Sequence, residues 1–371
     1  MNGKVKKVFP GGNTSEGFFS YYRHLLEKGA RRIFVIKGGP GVGKSTLMKK
    51  VANRLLELGY DLELHYCSSD NNSLDGIAVI DAGIVMVDGT APHIVDPKYP
   101  GGLDEIINLG EYWYTEGMEG NREKIIASTK EVSRLFTRAY GFLKAARPIA
   151  ENIIAMHSNS MNFLPVNKAV LILEKMLLDH TYQSESQGSE RHLFSNAYTP
   201  EGHVDFTDSI LQDVGRVYYL EGLMGTGKST IMKKIADRAI EKGMDVEIYH
   251  TPLIPTKIGS VIIKDIDIAI TSSPHYQQNN YQIINLNQYL NIGILAGYKD
   301  EILRDSEMLE TLINQGINNI RKAKEEHDVL EQYYVPNMNF DAVGEKYEQL
   351  LSRIFHLIES EVTAASGCLF N

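Results

Sequence analysis

The residue order predicts an α/β protein built twice in tandem. Each of two duplicated domains is expected to be a mostly parallel sheet sandwiched by helices, with a C-terminal helical extension. Three observations predict this. A long ordered series of segments recurs along the chain. Each copy holds a short apolar run that ends in a Gly-rich turn and is followed by an amphipathic helical period. The chain has 371 residues, 43% hydrophobic and 23% charged, enough for two or three domains that each bury a core.

The repeat is read directly from the residues. GGPGVGKSTLMKK at 38–50 recurs as GLMGTGKSTIMKK at 222–234, a lag of 184 residues (222 against 38). Thr14, Glu16 and Gly17 recur as Thr199, Glu201 and Gly202, and Gly59, Asp61 and Glu63 as Gly243, Asp245 and Glu247. Further on, Ile106-Ile107-Asn108-Leu109 recurs as Ile283-Ile284-Asn285-Leu286, and Met161-Asn162-Phe163 as Met338-Asn339-Phe340. The order is kept and the lag drifts only through short deletions. The polar stretch HTYQSESQGSE at 180–190 reads as a linker, which places the domains at 1–186 and 187–371.

Elements follow hydrophobic period. The runs 33–36 and 217–220 read as buried strands. After each turn, Leu47, Met48, Val51, Ala52 and Leu55 fall at helical spacing, as do Ile231, Met232, Ile235, Ala236 and Ala239. Gly59 and Gly243 sit where C-terminal helix caps belong. Strands are expected at 62–66 and 246–250, and again at 84–87 and 268–270. The rest of each unit reads as helical, with core-facing stripes along 122–147 and 299–325.

Gly38-x-x-x-x-Gly43-Lys44-Ser45 is a complete phosphate-binding loop, and Gly222-x-x-x-x-Gly227-Lys228-Ser229 is a second. Glycines let the backbone curl so that successive N–H groups point inward as an anion nest, and the following helix aims its positive end at the same place. The lysine reaches the β- and γ-phosphates and the serine hydroxyl ligates Mg²⁺. The expected nucleotide-binding residues are Gly38, Gly39, Gly41, Val42, Gly43, Lys44, Ser45 and Thr46 in the first loop. In the second they are Gly222, Gly225, Thr226, Gly227, Lys228, Ser229 and Thr230. Asp88 closes the apolar run 84–87, where a carboxylate can hold the Mg²⁺ shell with Ser45. Asp88-Gly89 is also a turn signal. Ser229 is the expected metal ligand of the second loop.

The copies differ where chemistry would be done. Asp88 aligns with Ser272, Asp70 with Ile254, Asp75 with Gly259, Arg134 with Thr311 and Arg138 with Gln315. The first loop is therefore the expected seat of turnover and the second a regulatory or structural nucleotide site. Lys44, Asp88, Asp70 and Arg138 are the candidate catalytic set. Asp70 is a base for a substrate hydroxyl or a residue of an exposed turn. Arg134 and Arg138 share a helix face and either clamp a γ-phosphate or are solvated. His93 and His275 each follow a proline just beyond a strand end, placed to sense phosphate or to fix a turn. Cys67 reads as a buried residue and not a nucleophile.

The doubled layout, with F-x-x-G-x-T-x-E-G from Phe9 to Gly17 before the first loop and D-G-T-A-P-H from Asp88 to His93 after it, resembles the P-loop NTPase superfamily. Within it, the chain resembles a family of uncharacterised bacterial tandem P-loop ATPases, sometimes labelled nucleotide kinases. The resemblance spans the whole chain and implies two tandem, duplicated P-loop NTPase domains, ATP and Mg²⁺. Ser272 departs from an active pattern. Neither a transporter-type L-S-G-G-Q signature nor an Asn/Thr-Lys-x-Asp guanine motif is present.

Charge narrows the partners. With 38 Lys+Arg against 47 Asp+Glu the net charge is −9, which argues against nucleic acid and anionic membrane. Two cysteines make neither a disulfide framework nor a four-thiolate zinc site. The start MNGKVKKVFPGG lacks an apolar leader, and no apolar run reaches the ~18 residues of a span. A cytoplasmic protein is expected. Three functions stay open: an ATPase coupling nucleotide state to shape; a small-molecule or nucleotide kinase with its acceptor pocket at 67–75 and a lid at 94–102; and a nucleotide-dependent interaction module working through its long helices.

Overall fold

The computed structural model describes residues 2–25, 29–91, 94–179, 186–274 and 281–367, with backbone alone from 360. The first repeat runs β1 (Val5–Val8), β2 (Gly11–Thr14), β3 (Gly17–Ser20), β4 (Arg32–Lys37), α1 (Lys44–Glu57), β5 (Leu62–Tyr66), β6 (Leu74–Val79), β7 (Ile84–Asp88), β8 (Asp104–Asn108), α2 (Thr115–Gly120), α3 (Arg122–Asn159) and α4 (Phe163–Leu178). The second runs β9 (Glu190–Phe194), β10 (Asn196–Thr199), β11 (Gly202–Asp205), α5 (Thr207–Leu211), β12 (Arg216–Glu221), α6 (Lys228–Glu241), β13 (Val246–His250), β14 (Ile258–Ile263), β15 (Ile268–Thr271), β16 (Tyr281–Asn285), α7 (Ile292–Gly297), α8 (Lys299–Tyr334) and α9 (Phe340–Gly367).

Each repeat contributes a six-stranded sheet of one strand order. The first is β1-β5-β6-β7-β4-β8, and the second is β9-β13-β14-β15-β12-β16. Five of the six strands in each sheet run in one direction and one is reversed, so the sheets are mostly parallel with a single antiparallel strand. β4 pairs parallel with β7 and β8, and β1 parallel with β5, but β6 runs antiparallel to both β5 and β7. Strands β6 and β14 are fully buried. They carry no alternation to betray them, and short connections suffice to reverse the chain on either side. Strands β8 and β16, in stretches expected to be helical, form the sheet edges beside β4 and β12. Even the irregularity is duplicated, with a register shift at His65/Tyr66 in the first sheet and at Tyr249/His250 in the second.

Helix α1 buries Leu47, Met48, Val51, Ala52 and Leu55. Each large side chain among them contributes about 1.5–3 kcal/mol of apolar burial. It stops at Gly59, left-handed at φ 90°, whose N–H bonds to Leu56 O. Gly243 ends α6 in the same way. Helix α3 runs through Pro148 to Asn159. No described helix is long and apolar enough to cross a membrane.

The compact units are not the contiguous stretches 1–186 and 187–371. One unit comprises 1–10, 22–136 and 321–371; the other comprises 11–21 and 137–320. Within the first, Val343, Leu350, Ile354 and Ile358 of α9 enter the core formed by β4, β6, β7 and α1. Within the second, Val166, Val170, Leu173 and Leu177 of α4 enter the core formed by β12, β14, β15 and α6. Each sheet is therefore closed by the terminal helix of the opposite repeat. The hairpin β2–β3 belongs to the second unit, as β10–β11 does.

Candidate functional site

In each unit an inner strand, β4 or β12, delivers a glycine-rich loop to the first turn of a helix. In the first unit Gly41 and Gly43 have φ of 66° and 93°, and Gly43 is the N-cap of α1. These are left-handed conformations that favour glycine. A Cβ on Gly39 would lie 2.5 Å from Tyr334 Cε1, and one on Gly41 2.9 Å from Val335 Cγ2. The end of α8 thus roofs the loop closely enough to exclude side chains there. Val42 is fully buried and pins the loop from beneath.

Lys44 folds back over this loop. Its Nζ donates to Gly38 O at 2.9 Å and Gly39 O at 2.8 Å, and stands 3.6 Å from Asp88 Oδ2. Asp88 ends β7, and its Oδ1 accepts from Thr90 N at 2.9 Å and from the Thr90 hydroxyl. Ser45 Oγ accepts from Leu74 N at 2.9 Å, tying the first helical turn to β6. Thr46 is exposed. A glycine cradle with an inward ammonium suits a polyphosphate. A serine hydroxyl and a carboxylate beside it are the hard oxygen donors that Mg²⁺ takes.

The second unit repeats the arrangement. Gly225 and Gly227 have φ of 87° and 99°. Lys228 Nζ donates to Gly222 O and, at 2.9 Å, to Leu223 O. Burial holds its pKa down to about 8. Ser229 Oγ accepts from Ile258 N at 2.9 Å, the counterpart of the Ser45 contact. The buried Thr226 donates to Leu223 O at 2.8 Å, and Thr230 is exposed. This loop is roofed by α3. A Cβ on Gly225 would lie 2.3 Å from Ile154 O, and His157 Nδ1 donates to Met224 O at 2.8 Å. A carbonyl can only accept, so the His157 proton sits on Nδ1. Burial lowers the His157 pKa, opposed by this bond and reinforced by the Lys228 charge.

Beside the second loop opens a cavity of about 600 Å³, walled by Lys228, Ser229, Thr251, Lys257, Ser272 and Asp205 among others. Its size is that of a small-molecule site.

Residues 15–84 match the family model Nephrocystin 3, N-terminal. The matched stretch contains β4, the first glycine-rich loop, α1, β5, β6 and the first residue of β7. It stops before Asp88. No curated protein and no solved structure matches the chain.

The remaining candidates fall in several places. Asp70 accepts from Asn72 N at 3.0 Å and Ser73 Oγ at 2.8 Å and lies 3.5 Å from Lys324 Nζ, so its carboxylate organises its own turn. Arg138 is in the second unit, not with Lys44 in the first; it is exposed and stacks 5.4 Å over Phe142. Arg134 forms an exposed two-pronged pair with Glu131. Burial, with Asp75 nearby, pushes the Cys67 thiol well up. Segment 94–102 is strapped down by Lys37, which donates to Val95 O and Asp96 Oδ1 at 2.8 Å. His93, His275, Cys368 and linker residues 180–185 lie outside the described residues.

Sequence reasoning passed over Tyr22, whose hydroxyl donates to Asp75 Oδ2 at 2.5 Å in the first unit. It also passed over Asp205 and His157 of the second. His157 aligns with Tyr334, and both roof a loop. The signal available was that shared repeat position.

Proposed function

We propose that the chain is a P-loop ATP-binding protein and a Mg²⁺-dependent ATPase, with turnover at the first loop and a regulatory or structural nucleotide at the second. The observation that carries this reading is the Lys44–Asp88 pair at 3.6 Å over a glycine cradle. An ammonium and a carboxylate are held together there, where a triphosphate and its metal would part them.

On this reading the loop amides and the positive end of α1 receive the β- and γ-phosphates. Lys44 exchanges the carbonyls of Gly38 and Gly39 for phosphate oxygens. Ser45 and Asp88 hold Mg²⁺, which neutralises charge on the transferring phosphoryl group. Water takes the phosphoryl group, and the protein supplies position and charge. At position 272 the second loop has a serine in place of this aspartate.

The test is steady phosphate release from Mg·ATP by the intact chain without an added acceptor. Release that survives Lys44→Ala overturns the assignment. The cavity beside the second loop favours one further reading, transfer of the γ-phosphoryl group to a small molecule. ATP-dependent modification of a nucleoside, nucleotide or sugar would establish that reading, and a screen with no modified compound would remove it.

A further inference from the structure

The aspartate missing from the end of β15 has a substitute. We propose that Asp205 supplies the metal-shell carboxylate of the second glycine-rich loop, making that loop a Mg·nucleotide site. The inference rests on the reading of this loop as a triphosphate site, and it goes beyond the alignment, which leaves the second copy without a carboxylate.

Asp205 ends β11, the second strand of the hairpin that precedes the loop. Its Oδ1 accepts from Thr207 N at 2.7 Å, and its Oδ2 accepts from Ser273 Oγ at 3.0 Å. Ser273 directly follows Ser272, the position aligned with Asp88. The carboxylate of one strand is thereby held at the C-terminal end of another, beside the position where the first copy carries its own. Asp205 shares the cavity wall with Lys228, Ser229, Ser272 and Ser273, and among the described residues it is the one carboxylate there.

Ser272 cannot take the role. Its hydroxyl donates to Gly259 O at 3.1 Å and carries no charge. Asp205 can. Each carboxylate oxygen has two lone pairs, so one bond apiece to Thr207 and Ser273 leaves acceptor capacity for a cation or its water. The other charged groups in the wall are Lys228, Lys234 and Lys257, so a single carboxylate leaves the site anion-binding overall. The repeat alignment makes the same point. Asp205 aligns with Ser20, as Asp88 aligns with Ser272. Each copy keeps one aspartate of the two positions, and the copies keep different ones.

The experiment is calorimetric titration of the full chain bearing Lys44→Ala with ATPγS, in Mg²⁺ and in EDTA. The Mg²⁺ gain in affinity is expected to fall about 10- to 100-fold on adding Asp205→Asn, the range for losing a metal-supporting partner. Binding in EDTA should be no weaker than in the parent, because asparagine keeps the acceptor for Thr207 N and removes a negative charge that repels the metal-free triphosphate. Adding Ser272→Asp to that chain should restore the Mg²⁺ gain by transplanting the first copy's arrangement. An Asp205→Asn chain that keeps the whole Mg²⁺ gain overturns the proposal. A Lys44→Ala chain that binds no ATPγS with or without metal overturns the triphosphate assignment itself, and this proposal with it.

Discussion

Lys44 Nζ lies 3.6 Å from Asp88 Oδ2 while donating to the carbonyls of Gly38 and Gly39. Both side chains are only 12–13% exposed, so each charge depends on the other and on the loop for solvation. A partly buried pair of this kind is costly to break by removing one partner. A polyanion and a cation that take one partner each offset that cost.

Replacing Lys44 with Ala should lower kcat/KM for ATP by about 100-fold or more, the scale for losing one positioned charge donor. Asp88→Asn should impair Mg²⁺-dependent hydrolysis while ATP still binds. Lys228→Ala should cut the nucleotide stoichiometry by one site and leave turnover. Phosphate-release kinetics and equilibrium dialysis read the two quantities separately, and equal activity loss from both lysine variants contradicts the division of labour.

Because α9 completes the core of the first sheet and α4 that of the second, neither half of the chain holds a complete unit. Residues 1–186 expressed alone should lack a cooperative thermal transition, as should 187–371. Co-expression of the two should yield a soluble complex with the melting behaviour of the intact chain. A well-folded monomer from either fragment alone would contradict the exchange of helices.

Burial depresses the Lys228 pKa to about 8, from an ordinary value of 10.5. The folded chain therefore binds fewer protons than the unfolded chain between these values, and stability from this group rises with pH across that window. A triphosphate on the loop favours the charged form and reverses the shift. Binding at the second loop should take up about half a proton at pH 8. Calorimetry in buffers of different ionisation heat reads this uptake, and it should vanish in the Lys228→Ala chain.

Gly225→Ala combines a left-handed φ of 87° with a Cβ 2.3 Å from the backbone carbonyl of Ile154. Backbone cannot move aside as a side-chain tip can, so this change should destabilise by about 2 kcal/mol or more. Gly141→Ala, inside α3 where an added Cβ meets nothing within 4 Å, should instead stabilise by about 0.5–1 kcal/mol. Chemical denaturation of the two variants checks both signs.

Local patterns were legible where one helix face or one strand decides the outcome. Leu47, Met48, Val51, Ala52 and Leu55 spell out the buried side of α1, and Gly59 spells out its end. Leu74–Val79 and Ile258–Ile263 were not legible, because strands buried on both faces lack alternation. Asp205 escaped notice because the relation that distinguishes it, a hydrogen bond to Ser273 across 68 residues of chain, has no local sequence signature.

By itself the residue order determined that the chain is written twice and that each copy carries a strand, a glycine turn and an amphipathic helix, since periodicity and backbone freedom are local properties. Only the tertiary structure decided which helix closes which sheet. Val343, Leu350 and Ile354 present an apolar stripe much as Val166, Val170 and Leu173 do. Burial of such stripes is non-directional, so a stripe specifies that a helix must be covered but not by which of two similar cores.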